Sequence, residues 1–221
     1  MALLDWENLS WEGFVAGVRG YRDHFSPKDR EDLAYLRCLD VVQAHPLAER
    51  SDYAGEIVHL LNTWACRLSS ERAPGALYEW LQNYAVDLET VEALTIVDPN
   101  IPYHTTKLGN LHDDLIRHMR ANGVLNMSDA AASKTLHVVL PDLFVMWDKE
   151  IRRSAPEGYG AYLLQMHTVA ARLTEEAPAD DVEAYLQELL GYETRKTLAK
   201  YLDEYNLFEA VGRGQLAVRS R

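Results

Sequence analysis

Apolar residues recur along this chain every three or four positions and nowhere alternate one by one over a strand's length, a pattern that predicts an all-helical protein. Ser10 stands ahead of a first helix carrying Trp11, Phe14, Val15 and Val18. Ser26-Pro27 is the start signal of a second, which stops near His45 ahead of Pro46. A third helix, from about Ser51, would place Ile57, Leu60, Leu61, Trp64 and Leu68 on one core face. Pro74 opens another through Leu77, Trp80, Leu81 and Tyr84, and Asp87 is placed to cap a short one reaching Leu94. The stretch IVDPNIPYHTTKLG, with two prolines and no period, predicts the longest central loop.

From about Asn110 a helix carries Leu111, Leu115, Ile116 and Met119 and ends near Asn122-Gly123. Ser128 or Asp129 caps AAASKTLHVVL, which must stop before Pro141, and Asp148 is placed to cap KEIRR after the glycine-free joint PDLFVMW. Tyr162, Leu163, Met166, Val169, Ala170 and Leu173 line a long helix, and two more follow, around 180 to 190 and 194 to 206. The tail, about 210 to 221, reads as a loose end. The expectation is a compact all-α bundle of roughly nine to eleven short helices, forming one domain over residues 1–221 without repeat or linker.

At 221 residues and 48% hydrophobic content, the chain can bury a sizeable core. It has no apolar run long enough to span a bilayer, and Asp5 and Glu7 interrupt the N-terminal stretch where a signal peptide needs continuity. These features predict a cytoplasmic protein with no membrane partner. Cys38 and Cys66 lie in apolar helical patterns without ligand spacing, so both are expected to be small buried hydrophobes, and neither a metal nor a cofactor is implied.

The net charge of −12 argues against indiscriminate nucleic-acid binding. The charge is uneven, however. Residues 117 to 153 hold six basic residues (Arg117, Arg120, Lys134, Lys149, Arg152, Arg153) against four acidic ones (Asp129, Asp142, Asp148, Glu150), a local sum of +2 that leaves −14 for the remainder. An anionic ligand is admissible there.

Within that segment, Ser133-Lys134-Thr135 leads into LHVVL, and Met146-Trp147-Asp148 leads into KEIRR. This resembles the helix-hairpin-helix DNA glycosylases of the endonuclease III and 8-oxoguanine glycosylase group. The resemblance covers roughly residues 125 to 153 and, through the helical layout, the rest of the chain. It implies a DNA-repair N-glycosylase/AP lyase in which Lys134 attacks the sugar C1′ and forms a Schiff base while Asp148 assists at the anomeric centre. His137, Trp147, Lys149, Arg152 and Arg153 would contact substrate, with DNA as partner. Where the family carries a Gly-x-Gly hairpin this chain has Asp129-Ala130-Ala131-Ala132, and no cysteine cluster for an iron–sulfur site follows.

The chemistry is physically coherent. A lysine attacks only as the neutral amine, so desolvation or a neighbouring cation must favour that form. An aspartate at a helix N-terminus is favoured as its anion by the helix dipole and suits an oxocarbenium-like centre. The plain alternatives are a helix cap for Asp148, a solvated first-turn lysine for Lys134, and core packing for Phe144, Met146 and Trp147. Trp64 and Trp147 are expected to be substantially buried. Two other functions compete: a non-catalytic module whose acidic surface takes a basic protein partner, and a metal-dependent HD-type phosphohydrolase built on His112-Asp113 with His59 or His104. Arg67, if buried, would need a carboxylate, and Asp148 is the candidate.

Overall fold

The computed structural model describes residues 4–24, 30–152, 157–192 and 196–212. Among them are eleven α-helices and no strand: α1 (Trp11–His24), α2 (Arg30–Gln43), α3 (Ala54–Thr63), α4 (Ala73–Asn83), α5 (Ala85–Glu89), α6 (Ile101–Ala121), α7 (Asp129–Val139), α8 (Lys149–Arg152), α9 (Tyr159–Glu176), α10 (Val182–Leu190) and α11 (Leu198–Leu207). A 3₁₀ segment (Leu47–Tyr53) precedes α3, and a π-helical turn (Phe208–Gly212) follows α11. The Ser26-Pro27 start signal, Arg153 and most of the expected tail lie outside the described residues. None of the described helices is long and apolar enough to cross a membrane.

Four helix starts follow from side-chain caps. The Ser10 hydroxyl accepts from Gly13 N at 3.2 Å, Ser128 does the same for Ala131 N ahead of α7, and Asp181 and Thr197 cap α10 and α11. Three expectations are corrected. The stretch read as a central loop is helical from Ile101 onward, because Pro102 occupies the first turn of α6, where its missing N–H costs nothing. Asp87 does not cap a helix; it lies inside α5 and pairs with Lys107 at 2.8 Å. The third helix begins as a 3₁₀ turn and stops at Thr63, so Leu68 reaches the core from a loop.

Buried side chains form one contiguous cluster from Trp6 to Tyr205. Helix α6 packs on α9 through Gly109 and Gly160, where a Cβ at residue 160 would meet Thr105 O at 2.6 Å. Helix α11 runs through the middle, buried from Leu198 to Asn206 despite carrying Lys200, Asp203, Glu204 and Asn206. Unpaired charges there would cost several kcal/mol each, and the packing supplies partners. Lys200 pairs with Asp203 at 2.8 Å, Lys196 with Glu204 at 2.5 Å, and the Trp6 indole donates to Asn206 at 2.8 Å.

Candidate active site around Lys134 and Asp148

After a turn at 141–143, residues 143–147 are buried and belong to no helix, so their backbone polar groups need partners that no sheet provides. Side chains supply them in sequence. His137 bonds Phe144 O at 2.6 Å, Tyr159 donates to Val145 O at 2.8 Å, Tyr162 to Met146 O at 2.9 Å, and Ser133 Oγ accepts from Trp147 N at 2.8 Å. Because a carbonyl only accepts, His137 Nδ1 carries the proton and Nε2 accepts from the Tyr35 hydroxyl at 2.7 Å. Burial pushes the His137 pKa down to about 3, consistent with this neutral tautomer. Four side chains thereby fix the strap that ends in Asp148.

Ser133 and Lys134 are adjacent on α7, so the residue that pins the strap also sets the lysine beside its end. Lys134 Nζ lies 3.0 Å from Asp148 Oδ1, with 12% of the lysine side chain and 20% of the aspartate side chain still exposed. Asp148 stands at the N-cap position of α8, its carbonyl accepting from Arg152 N, while its carboxylate reaches Lys134. Burial, the largest single influence on Lys134, acts to lower its pKa, but Asp148, Cys66 and Asp203 together raise it above the ordinary lysine value. The resting residue is an ammonium ion.

The other wall is the loop after α3. Ala65 N bonds Asn62 O at 3.1 Å and Cys66 N bonds Leu61 O at 2.9 Å, the two bonds of a Schellman motif with Ala65 at the left-handed position, φ 58°. Arg67 is also left-handed, φ 55°. Alanine and arginine are strained there by roughly 1–3 kcal/mol each. The Asn62 amide braces the loop, bonding both N and O of Leu68 at 2.6 and 3.1 Å. This bend places the half-buried Trp64 with its ring centroid 5.4 Å from Lys134 Nζ and brings Cys66 within electrostatic reach of the pair. Burial, chiefly, raises the Cys66 thiol pKa.

The remaining expected residues divide. Trp147 is buried, stacked on Tyr162 at 5.6 Å, with its indole N–H unpartnered. Arg152 lies 5.2 Å over that ring and pairs with Asp129, and Lys149 is exposed beside Asp148. His137 is corrected: it is fully buried and both nitrogens are spent on the fold, so it is not a substrate contact. Asp129-Ala130-Ala131-Ala132 is the first turn of α7, and the turn that joins α6 to α7 bends instead at Gly123, φ 79°, under the Arg72 guanidinium. Arg67 is exposed, and Lys134, not Arg67, pairs with Asp148. Trp64, Cys66 and Asp203 were not singled out as site residues by sequence reasoning.

The HD reading lacks its ligands. His112 bonds Asp113 Oδ1 and Asp129 O through its two nitrogens and is fully buried, and no group of three or more metal-binding side chains occurs among the described residues. A cavity of about 400 Å³ bordered by Ile96, Asp142, Thr174, Asp181 and Leu198 does not include the Lys134–Asp148 pair.

The fold and site define an all-helical protein with a half-buried lysine–aspartate pair at a strained loop. Comparison with protein-family models, curated proteins and solved structures gives no match.

Proposed function

We propose that the protein is a glycosylase-like N-glycosylase/AP lyase acting on a damaged base or abasic site in DNA, with Lys134 as nucleophile and Asp148 facing the sugar. The observation that carries this reading is the 3.0 Å Lys134–Asp148 pair, held on a pinned strap yet open to solvent on one side. The turn between α6 and α7 serves as the helix-hairpin-helix element. Exposed Arg67, Arg72, Arg120, Lys149 and Arg152 stand on the elements around it and suit a phosphate backbone. Asn126 and Arg120 brace the turn, donating to Arg67 O and Met127 O at 2.9 and 3.0 Å.

The protonated resting lysine sets the order of events. As the C1′–N bond breaks, its electron pair leaves with the base, which takes a proton from the Lys134 ammonium. The freed amine pair then closes on C1′ while the Asp148 carboxylate offsets the positive charge developing on the sugar. Opening of the C1′–O4′ bond, with O4′ taking a proton from the new C–N nitrogen, leaves an iminium. Borohydride delivers hydride to that iminium and fixes the adduct.

Oligonucleotides bearing an abasic site or a damaged base, incubated under borohydride, should yield a covalent adduct that Lys134→Ala abolishes, while Asp148→Asn slows base release. Absence of an adduct with every substrate overturns the proposal. The net charge of −12 favours a second reading, a non-catalytic module for a basic protein partner. That reading predicts no adduct and salt-sensitive binding to a polycationic peptide.

A further inference from the structure

Away from Lys134, the bend between α2 and α3 gathers a carboxylate, an imidazole and a phenol. Helix α2 stops at Gln43, Pro46 leads into the 3₁₀ segment Leu47–Tyr53, and Arg50 Nε closes the bend by donating to His45 O at 3.1 Å. There the Tyr53 hydroxyl lies 2.5 Å from His45 Nε2, with the ring centroids 4.4 Å apart, and Glu49 Oε2 lies 3.6 Å from His45 Nδ1. A carboxylate only accepts, so the Nδ1 proton faces Glu49 and Nε2 is left to take the phenol proton. At 3.6 Å Glu49 is past hydrogen-bond length and acts as a charge. The group is open to reagents. The His45 side chain is 36% exposed and that of Glu49 60%, while Tyr53 is half-buried. Packing at this bend comes from the neighbours instead: Leu47, Arg50 and Ser51 are buried, Arg50 donates to Val139 O at 2.5 Å, and Gln82 donates to Ser51 Oγ at 2.6 Å.

We propose that Tyr53 is an activated nucleophile and a site of covalent acylation, with His45 as its general base and Glu49 as a positioning residue that steadies the imidazolium formed on attack. A carboxylate, an imidazole and a hydroxyl in contact define these roles by geometry, whatever their order in the chain. In the step, the phenol oxygen bonds to the acyl carbon as its proton passes to His45 Nε2. The leaving oxygen, sulfur or nitrogen then departs with the electron pair of its bond to that carbon and takes the proton back from His45. The surroundings select the donor. Exposed Glu49 and Asp52 stand on the 3₁₀ segment and exposed Glu56 on the first turn of α3, while the segment's own cation, Arg50, is buried and committed to His45 O, Val139 O and Glu92. A phosphorylated or carboxylate-bearing donor would meet like charge there, so the substrate class is a neutral ester, thioester or activated amide. Neither Lys134 nor DNA takes part, and this site stands or falls apart from the glycosylase reading.

N-acetylimidazole, a neutral acyl donor that acetylates tyrosine hydroxyls, tests the site in the full chain, with each O-acetyltyrosine assigned and timed by mass spectrometry. Tyr103, 85% exposed, is the internal reference. Tyr53 should be acetylated about tenfold faster than Tyr103 or more, despite its lower exposure, and His45→Gln, which keeps a hydrogen-bonding side chain but no base, should remove that advantage. Should His45→Gln fail to fold, Glu49→Gln changes only an exposed charge and should slow Tyr53 by about two- to fivefold. That smaller difference should close in about 1 M NaCl, as a screened charge requires and a structural role does not. Tyr53 acetylated no faster than Tyr103, as expected of a hydroxyl merely tied up in a hydrogen bond, overturns the proposal. So does a fast Tyr53 whose rate both variants leave unchanged.

Discussion

Acid should unfold this protein through His137. The imidazole has no solvent exposure, donates from Nδ1 to Phe144 O, and accepts at Nε2 from Tyr35, so a second proton would put a charge in the core and break the Tyr35 bond. Its pKa of about 3 in the fold compares with an ordinary value near 6.5. A group whose folded pKa is depressed binds its proton more readily in the unfolded chain. Its stabilising contribution is intact above pH 6.5 and is lost as pH falls toward 3. At about 1.36 kcal/mol per unit, this linkage removes roughly 3 kcal/mol between pH 7 and pH 4. His137→Asn is the reference variant, since its amide can still donate to Phe144 O but does not titrate. Urea unfolding followed by tryptophan fluorescence at pH 7, 6, 5 and 4 should give a wild-type stability that falls about 3 kcal/mol further than the variant's. Parallel pH curves for the two proteins would refute the assignment of a neutral, doubly bonded His137.

Ser133→Ala leaves the buried Trp147 amide unpaired and should cost about 1–2 kcal/mol after the helix-propensity gain of alanine, measured by urea unfolding. Thr135→Val, whose hydroxyl only donates back to Ala131 O in the same helix, should cost less than Ser133→Ala. Ala65→Gly relieves the left-handed strain at φ 58° and should stabilise by about 0.5–1 kcal/mol, read as a higher melting temperature. The Lys134–Asp148 pair, with the lysine pKa raised, stabilises fully below about pH 10.4 and fades as pH rises through the folded value. The stability gap between wild type and Lys134→Met should therefore narrow in alkaline titration.

What the sequence discloses about this molecule depends on whether the stabilising partner is local. Helices α4, α7, α9 and α10 carry their periodicity or their start signals within a few residues, so Pro74, Ser128, Asp181 and the run from Tyr162 to Leu173 mark them without reference to the rest of the chain. The strap does not. Its four backbone bonds come from Ser133, His137, Tyr159 and Tyr162, residues up to sixteen positions away whose own patterns read as ordinary helix faces. Helix α11 is legible as a helix but not as core: Lys200, Asp203, Glu204 and Asn206 look like a solvated stripe, yet they are buried, with Lys200 and Asp203 paired along the helix and Asn206 taken up by Trp6.

The candidate site divides along the same line. Lys134 and Asp148 are legible together because the joint between α7 and α8 is too short to separate them widely, and the structure brings them to 3.0 Å. Cys66 and Trp64 were hidden by a helix ending that carries no glycine. Apolar spacing continues smoothly from Leu61 to Leu68, while the chain has already turned at Ala65 into a conformation that alanine disfavours. Local propensity argues for continuing the helix, and the Schellman bonds together with the Asn62 clamp override it. A place where tertiary structure holds two non-glycine residues against their own preference, directly beside the exposed end of a lysine–aspartate pair, is where strain has a use. The bend sets the Trp64 ring 5.4 Å from Lys134 Nζ, and relaxing it through Ala65→Gly tests whether that placement matters to trapping as well as to stability.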